Sequence, residues 1–197
     1  MLAAKLGKAP ADLSIYDPYF CAGGCPRNLA DLGFTNVYNK CEDFYAVTAA
    51  GATPEHDVVV TNPPYSGDHV EMLLKWCRTN GRPFLLCMPN YFFAKPYYER
   101  ALGGPVVAQE SMMYLCPRKR YNYWTPRGLR TQSDKLQSNH KGKGGANRTS
   151  PFVSFWFLDL APVMPSKDLA QWWRQQKNET GAILCKGQAL PKGVTSF

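Results

Sequence analysis

The sequence predicts an α/β fold: one open, mostly parallel sheet with helices on both faces and an antiparallel edge pair. Three observations carry that prediction. Asp57-Val58-Val59-Val60 is a continuous β-branched run that stops at Asn62-Pro63-Pro64, the mark of a strand covered on both faces. Strand-like runs alternate with helical ones through the first half of the chain, and that alternation calls for right-handed crossovers between parallel neighbours. From residue 110 the pattern changes: Ser111 to Trp124 and Pro151 to Leu160 are aromatic-rich, strand-like and joined with no apolar helix between them. Those two form the antiparallel pair.

The elements follow in order. Leu13-Ser14-Ile15-Tyr16 reads as a first strand ending at Asp17-Pro18. The small residues Cys21-Ala22-Gly23-Gly24 then turn the chain into a short helix, Asn28 to Leu32, closed by Gly33. Phe34 to Asn39 reads as a second strand, followed directly by Glu42-Asp43-Phe44-Tyr45. Residues 68 to 79 place apolar side chains at 70, 73, 74 and 77, the spacing of one helical face. Pro83 to Met88 is another buried strand, and Ser166 to Lys177 reads as a helix with Leu169, Trp172 and Trp173 on one side. The whole of residues 1–197 is expected to form one domain, with a basic loop insertion at about 125–149.

Charge is distributed unevenly. Of the net +8, the segment from Pro117 to Ser150 supplies all: nine Lys or Arg stand there against Asp134 alone, and the remainder of the chain is neutral. The seven cysteines are odd in number and most lie in apolar runs, which predicts reduced thiols packed as small hydrophobes, with no metal site. Met1 to Pro10 has no apolar core of signal-peptide length and no run reaches membrane-spanning length, so an intracellular protein, nuclear or cytoplasmic, is expected.

The chemistry is carried by Asn62-Pro63-Pro64-Tyr65 at the end of the valine strand. An amino group conjugated to a ring or carbonyl is flat and weakly nucleophilic. It accepts an alkyl group only when held in line with the donor carbon while two acceptors take its hydrogens and favour the pyramidal form. Asn62 can supply one acceptor through its side-chain oxygen. Pro63 can supply the other through its carbonyl, since the following Pro64 holds that backbone extended. Tyr65 offers a flat face for a base or amide plane, a role that needs the ring rather than the hydroxyl. Read without its context, the tetrapeptide is only a sharp turn capped by asparagine.

With these residues in place, the sequence resembles the class I methyltransferases that modify exocyclic or amide nitrogens, typified by adenine-N6 enzymes with an Asp/Asn-Pro-Pro-Tyr/Phe motif. The resemblance covers residues 13 to 95 and extends through the aromatic pair to 160. It implies a Rossmann-like methyltransferase domain that uses S-adenosylmethionine. Asp17 and the turn Ala22-Gly23-Gly24 would form the first cofactor motif. Glu42 or Asp43 would accept a hydrogen bond from the cofactor, Phe44 would stack on its adenine, and Asn62, Pro63, Pro64 and Tyr65 would be catalytic. The first motif reads Asp-Pro-Tyr-Phe-Cys-Ala-Gly-Gly where the family has a Gly-x-Gly run.

The same tetrapeptide serves, by resemblance, methylation of adenine N6 in DNA or RNA, of guanine N2 in RNA and of a glutamine amide in protein. The basic segment tilts the expectation to a nucleic acid, with adenine N6 favoured, because phosphates need Lys and Arg while extruded bases need stacking faces. Arg118, Lys119, Arg120, Arg127, Arg130, Lys141 and Lys143 are the expected substrate contacts, with Tyr114, Tyr121, Tyr123 and Trp124 beside the first three. The alternatives are a protein glutamine-amide N-methyltransferase and a non-catalytic methyltransferase-like subunit of a larger assembly. No membrane partner is expected.

Overall fold

The structure, a computed structural model, describes residues 1–21, 23–119, 153–176 and 181–186. Seven strands form one mixed sheet in the order β2-β1-β3-β4-β6-β5-β7. They are β1 (Ile15–Tyr16), β2 (Val37–Tyr38), β3 (Val58–Thr61), β4 (Phe84–Pro89), β5 (Met112–Pro117), β6 (Ser154–Asp159) and β7 (Ala182–Lys186). The first four are parallel, β6 runs antiparallel to both β4 and β5, and β7 runs antiparallel to β5. The expected Rossmann-like α/β architecture is therefore present.

The helices are α1 (Leu2–Lys5), α2 (Gly24–Ala30), α3 (Phe44–Ala49), α4 (His69–Asn80), α5 (Tyr98–Ala101), α6 (Pro105–Ser111) and α7 (Ser166–Gln175). Side chains alternate across the pleat and sort them into two layers. Tyr16, Val59, Leu86, Tyr114 and Phe157 share one core with Phe44 of α3, Val70, Leu73, Leu74 and Cys77 of α4, and Tyr98 of α5. Their sheet neighbours Ile15, Val58, Met113 and Leu158 face the other layer, with Ala3 of α1, Leu29 of α2 and Leu169 of α7. The four apolar positions predicted for α4 are all buried, and the helix stops where Gly81 takes φ 66°, a left-handed conformation that glycine adopts without strain.

Two parts of the sheet differ from the sequence expectation. The strand expected over 34–39 shrinks to Val37–Tyr38, because the edge strand β2 has only the two-residue β1 to pair with, and Phe34 instead closes the end of α2 through Phe34 N–H to Leu29 C=O at 2.9 Å. The aromatic pair is antiparallel as expected, but it does not sit at the edge. β6 lies between β4 and β5, and β7 covers β5 from outside. Phe155 and Phe157 on β6 are fully buried for that reason, each stabilising the fold by about 1.5–3 kcal/mol.

The topology fixes where a ligand belongs. From β1 the chain steps to one side to make β2, then returns across β1 to make β3 on the other. That reversal leaves a crevice at the carboxyl ends of β1 and β3, the usual binding position of such sheets. Asp17 follows β1 and Asn62 follows β3.

Candidate functional site

Asp17 is 4% exposed although it carries a carboxylate. Thr61, the last residue of β3, donates its hydroxyl to Asp17 Oδ1 at 2.5 Å, and Tyr19 N–H lies 3.4 Å from the same oxygen. Burial pushes the Asp17 carboxyl above its ordinary value, while Thr61, the Cys25 thiol and Tyr19 N–H pull it back. Asp17 thus joins the ends of β1 and β3 and the first turn of α2. Its backbone joins β2 as well: Asp17 N–H donates to Tyr38 C=O at 3.0 Å, and Asn39 Nδ2 donates to Asp17 C=O at 3.1 Å. Asn39 Oδ1 is left buried without a protein partner, one of two such side-chain atoms among the described residues. A buried orphan acceptor at a strand end is uncommon and points to a donor from outside the chain.

The other expected cofactor residues fall into three groups. Gly23 takes φ 65° at the start of α2, so the turn needs glycine there, and a side-chain carbon added at Gly24 would meet nothing within 4 Å. Ala22 lies outside the described residues. Glu42 is exposed and accepts from the Tyr38 hydroxyl through both oxygens, at 3.1 and 2.9 Å. Asp43 caps α3, its Oδ1 accepting from Tyr45 N–H at 2.9 Å and Ala46 N–H at 3.3 Å. Phe44 is 4% exposed, and its ring lies 5.3, 5.2 and 5.1 Å from those of Tyr19, Tyr45 and Trp76. Core packing accounts for that ring as it stands.

Asn62 and Pro64 are exposed, Pro63 is buried and Tyr65 is half-buried. The Tyr65 hydroxyl lies between two acceptors: the side-chain oxygen of Asn62, with which it makes a short hydrogen bond, and Cys87 C=O on β4 at 3.1 Å. The hydroxyl was expected to be dispensable; here it orients the very oxygen assigned to the substrate nitrogen. An amide oxygen has two lone pairs, so Asn62 can accept from Tyr65 and still accept a second hydrogen. The tyrosine ring meets Phe92 at 6.0 Å, tilted by 52°.

Sequence reasoning passed over a second hydroxyl chain. Tyr19 and Tyr45 hydroxyls are 3.4 Å apart, and Tyr45 hydrogen-bonds His69 Nδ1 at the start of α4, its ring stacked on the imidazole at 5.5 Å. This ties the loop after β1, α3 and the start of α4 together beside the tetrapeptide.

Because β5 is parallel to β4, its carboxyl end lies on the same rim of the sheet. Arg118 and Lys119 emerge there, exposed. Arg120, Arg127, Arg130, Lys141 and Lys143 lie outside the described residues, as do Tyr121, Tyr123 and Trp124. Tyr114 is a buried core ring hydrogen-bonded to the Tyr98 hydroxyl at 2.9 Å, and so is no substrate contact.

Among the described residues no three His, Cys, Asp or Glu side chains cluster as metal ligands, and no helix is long and apolar enough to cross a membrane. An apolar cavity of about 180 Å³ lies on the other face of the sheet, lined by Leu85, Leu115, Leu158 and Trp172 among others, and has no part in this crevice. No protein-family model matches the chain, and no curated protein matches its sequence.

Proposed function

We propose that this chain is an S-adenosylmethionine-dependent N-methyltransferase whose substrate is the exocyclic amino group of a nucleic-acid base, with adenine N6 favoured, working inside the cell in the nucleus or cytoplasm. The observation that carries the reading is the placement of Asn62-Pro63-Pro64-Tyr65 at the carboxyl end of β3, at the switch crevice and with the Asn62 oxygen oriented by Tyr65. The residues at the crevice suit such a cofactor. Asn39 holds an unpaired buried acceptor for a ribose or amino donor, and the open turn at Gly23-Gly24 allows close backbone approach.

When bound, S-adenosylmethionine supplies an electrophilic methyl group. The chain supplies the rest. Asn62 Oδ1 and Pro63 C=O accept the two hydrogens of the amine and localise its lone pair towards the donor carbon. The positive charge that methylation would develop on this nitrogen falls beside these two dipoles, and the methylated nitrogen would lose one proton to water. Tyr65 supports the plane of the base with its ring and the Asn62 amide with its hydroxyl.

Two observations favour a second reading, a methyltransferase-like subunit without turnover: Asp17 is satisfied by internal donors, and Phe44 is packed in the core. Calorimetry with S-adenosylmethionine separates the readings. The enzyme reading expects saturable binding by wild type, unchanged in Asn62→Ala and weakened in Asn39→Ala. Single-turnover transfer should fall by roughly a hundred-fold or more in Asn62→Ala. An Asn62→Ala variant that transfers at the wild-type rate overturns the mechanism, and a wild type that takes up no cofactor favours the subunit.

A further inference from the structure

Beyond the crevice, Tyr91 and Lys95 form an aromatic and cationic pair that no role above uses. Tyr91 is the second residue of the turn Asn90–Ala94 after β4 and is 41% exposed, unusual for a ring at the mouth of a buried strand. The ring of Phe92, itself buried, lies 4.8 Å from that of Tyr91 and 6.0 Å from that of Tyr65, so one core ring backs both the exposed Tyr91 and the half-buried Tyr65. Lys95 places its ammonium 5.4 Å from the centre of the Tyr91 ring, and both side chains are exposed.

We propose that Tyr91 and Lys95 form a second nucleotide-binding position, which takes the base and phosphate of a nucleotide flanking the methylated one in single-stranded or extruded nucleic acid. The proposal rests on the nucleic-acid reading given above. A rigid ring with a cation beside it matches the two halves of a nucleotide, a π face and an anion. In the free protein the flexible lysine covers the ring through a cation–π contact that is weak when exposed. A stacked base takes that place, and the ammonium moves to the neighbouring phosphate. Arg118 and Lys119, exposed on the same rim, extend the positive path for the backbone. A protein segment that stacked through an arginine would meet like charge from Lys95, so the pair selects an anionic chain.

The test is fluorescence anisotropy of a labelled single-stranded oligonucleotide of about a dozen nucleotides, a length within the range that single-strand binding surfaces cover. Tyr91→Ala should weaken binding roughly ten-fold, the loss typical of one stacked base, while Tyr91→Phe should bind as wild type. An abasic nucleotide scanned along the strand should cost a similar factor in wild type at a position flanking the target base, and nothing further at that flanking position in Tyr91→Ala. Lys95→Ala should lower the slope of log affinity against log salt by about 0.7, one phosphate on a single strand. Cofactor binding by Tyr91→Ala, measured by calorimetry, should be unchanged and reports that the variant is folded. If wild type binds the strand and Tyr91→Ala binds it equally well at every salt concentration, the second position is absent while the broader reading stands. If wild type itself has no affinity for DNA or RNA at low salt, both fall and a protein amide becomes the better substrate.

Discussion

Asn62 and Tyr65 act as a pair. The tyrosine hydroxyl has one hydrogen and two acceptors in reach, Asn62 Oδ1 and Cys87 C=O, and its bond to Asn62 fixes which way the amide oxygen points. Removing that hydroxyl leaves the ring in place but frees the Asn62 amide to rotate. Tyr65→Phe should therefore lower kcat roughly ten-fold or more while KM for the nucleic acid changes little, since a preorganised dipole is lost and the stacking face is kept. Steady-state kinetics check this; an unchanged kcat would show that Asn62 is held by other contacts. The tetrapeptide and its acceptor chemistry were legible because residue type and spacing alone decide them. The hydroxyl's role was not, since Cys87 C=O belongs to another strand and only the fold brings it near.

At the scale of elements, His56 shows how the strand that carries the tetrapeptide is braced from behind. Its Nδ1 lies 2.7 Å from Pro54 C=O and therefore carries the hydrogen, which leaves Nε2 to accept from Asn80 Nδ2 at 2.9 Å. This bond joins the approach to β3 to the end of α4, and the imidazole stacks on Trp76. Protonation would destroy the acceptor, and burial holds the His56 imidazole below its ordinary value of 6.5. The unfolded chain takes up this proton near pH 6.5 and the folded chain only at lower pH. The contribution is thus complete above 6.5 and is lost as pH falls below it, with a slope of at most about 1.4 kcal/mol per pH unit. Urea unfolding at pH 7.5 and 5.5 should show a larger loss for wild type than for His56→Gln, which does not titrate; equal losses would remove His56 as the cause. The apolar spacing of α4 was readable because four positions on one face suffice to define it. The position of β6 was not, since an apolar aromatic run looks alike whether it ends inside a sheet or at its edge. β7 was missed because Ala182-Ile183-Leu184-Cys185 is too short a run to mark a strand without its partner β5.

Over the whole molecule, the sheet order gathers the described residues on which the proposed activity rests at one rim of the sheet. The reversal between β2 and β3 puts Asp17, Asn39 and Asn62 around one crevice, and the parallel sense of β5 brings Arg118 and Lys119 to the same rim. The alternating pattern made this architecture readable in advance, but Asn39 was not singled out, because a lone asparagine after a short strand carries no signal until its oxygen is seen to be buried. The net +8 lies entirely between Pro117 and Ser150. Replacing Arg127, Arg130, Lys141 and Lys143 together with Ser should weaken binding to all sequences alike. It should also flatten the salt slope by about 0.7 for each phosphate no longer neutralised on single strands, or about 0.9 on duplex, with cofactor affinity unchanged. An unaltered salt slope would make that segment a connector without a binding role.

The most direct measurement of the central claim is transfer of a deuterated methyl group from S-adenosylmethionine, in the presence of RNA, DNA and protein from the same cells, followed by digestion and mass spectrometry of the products. The expected result is label on an exocyclic base nitrogen, adenine N6 first, with wild type and almost none with Asn62→Ala. Label on a glutamine amide, or no label anywhere from a protein that binds the cofactor, would contradict the proposed activity.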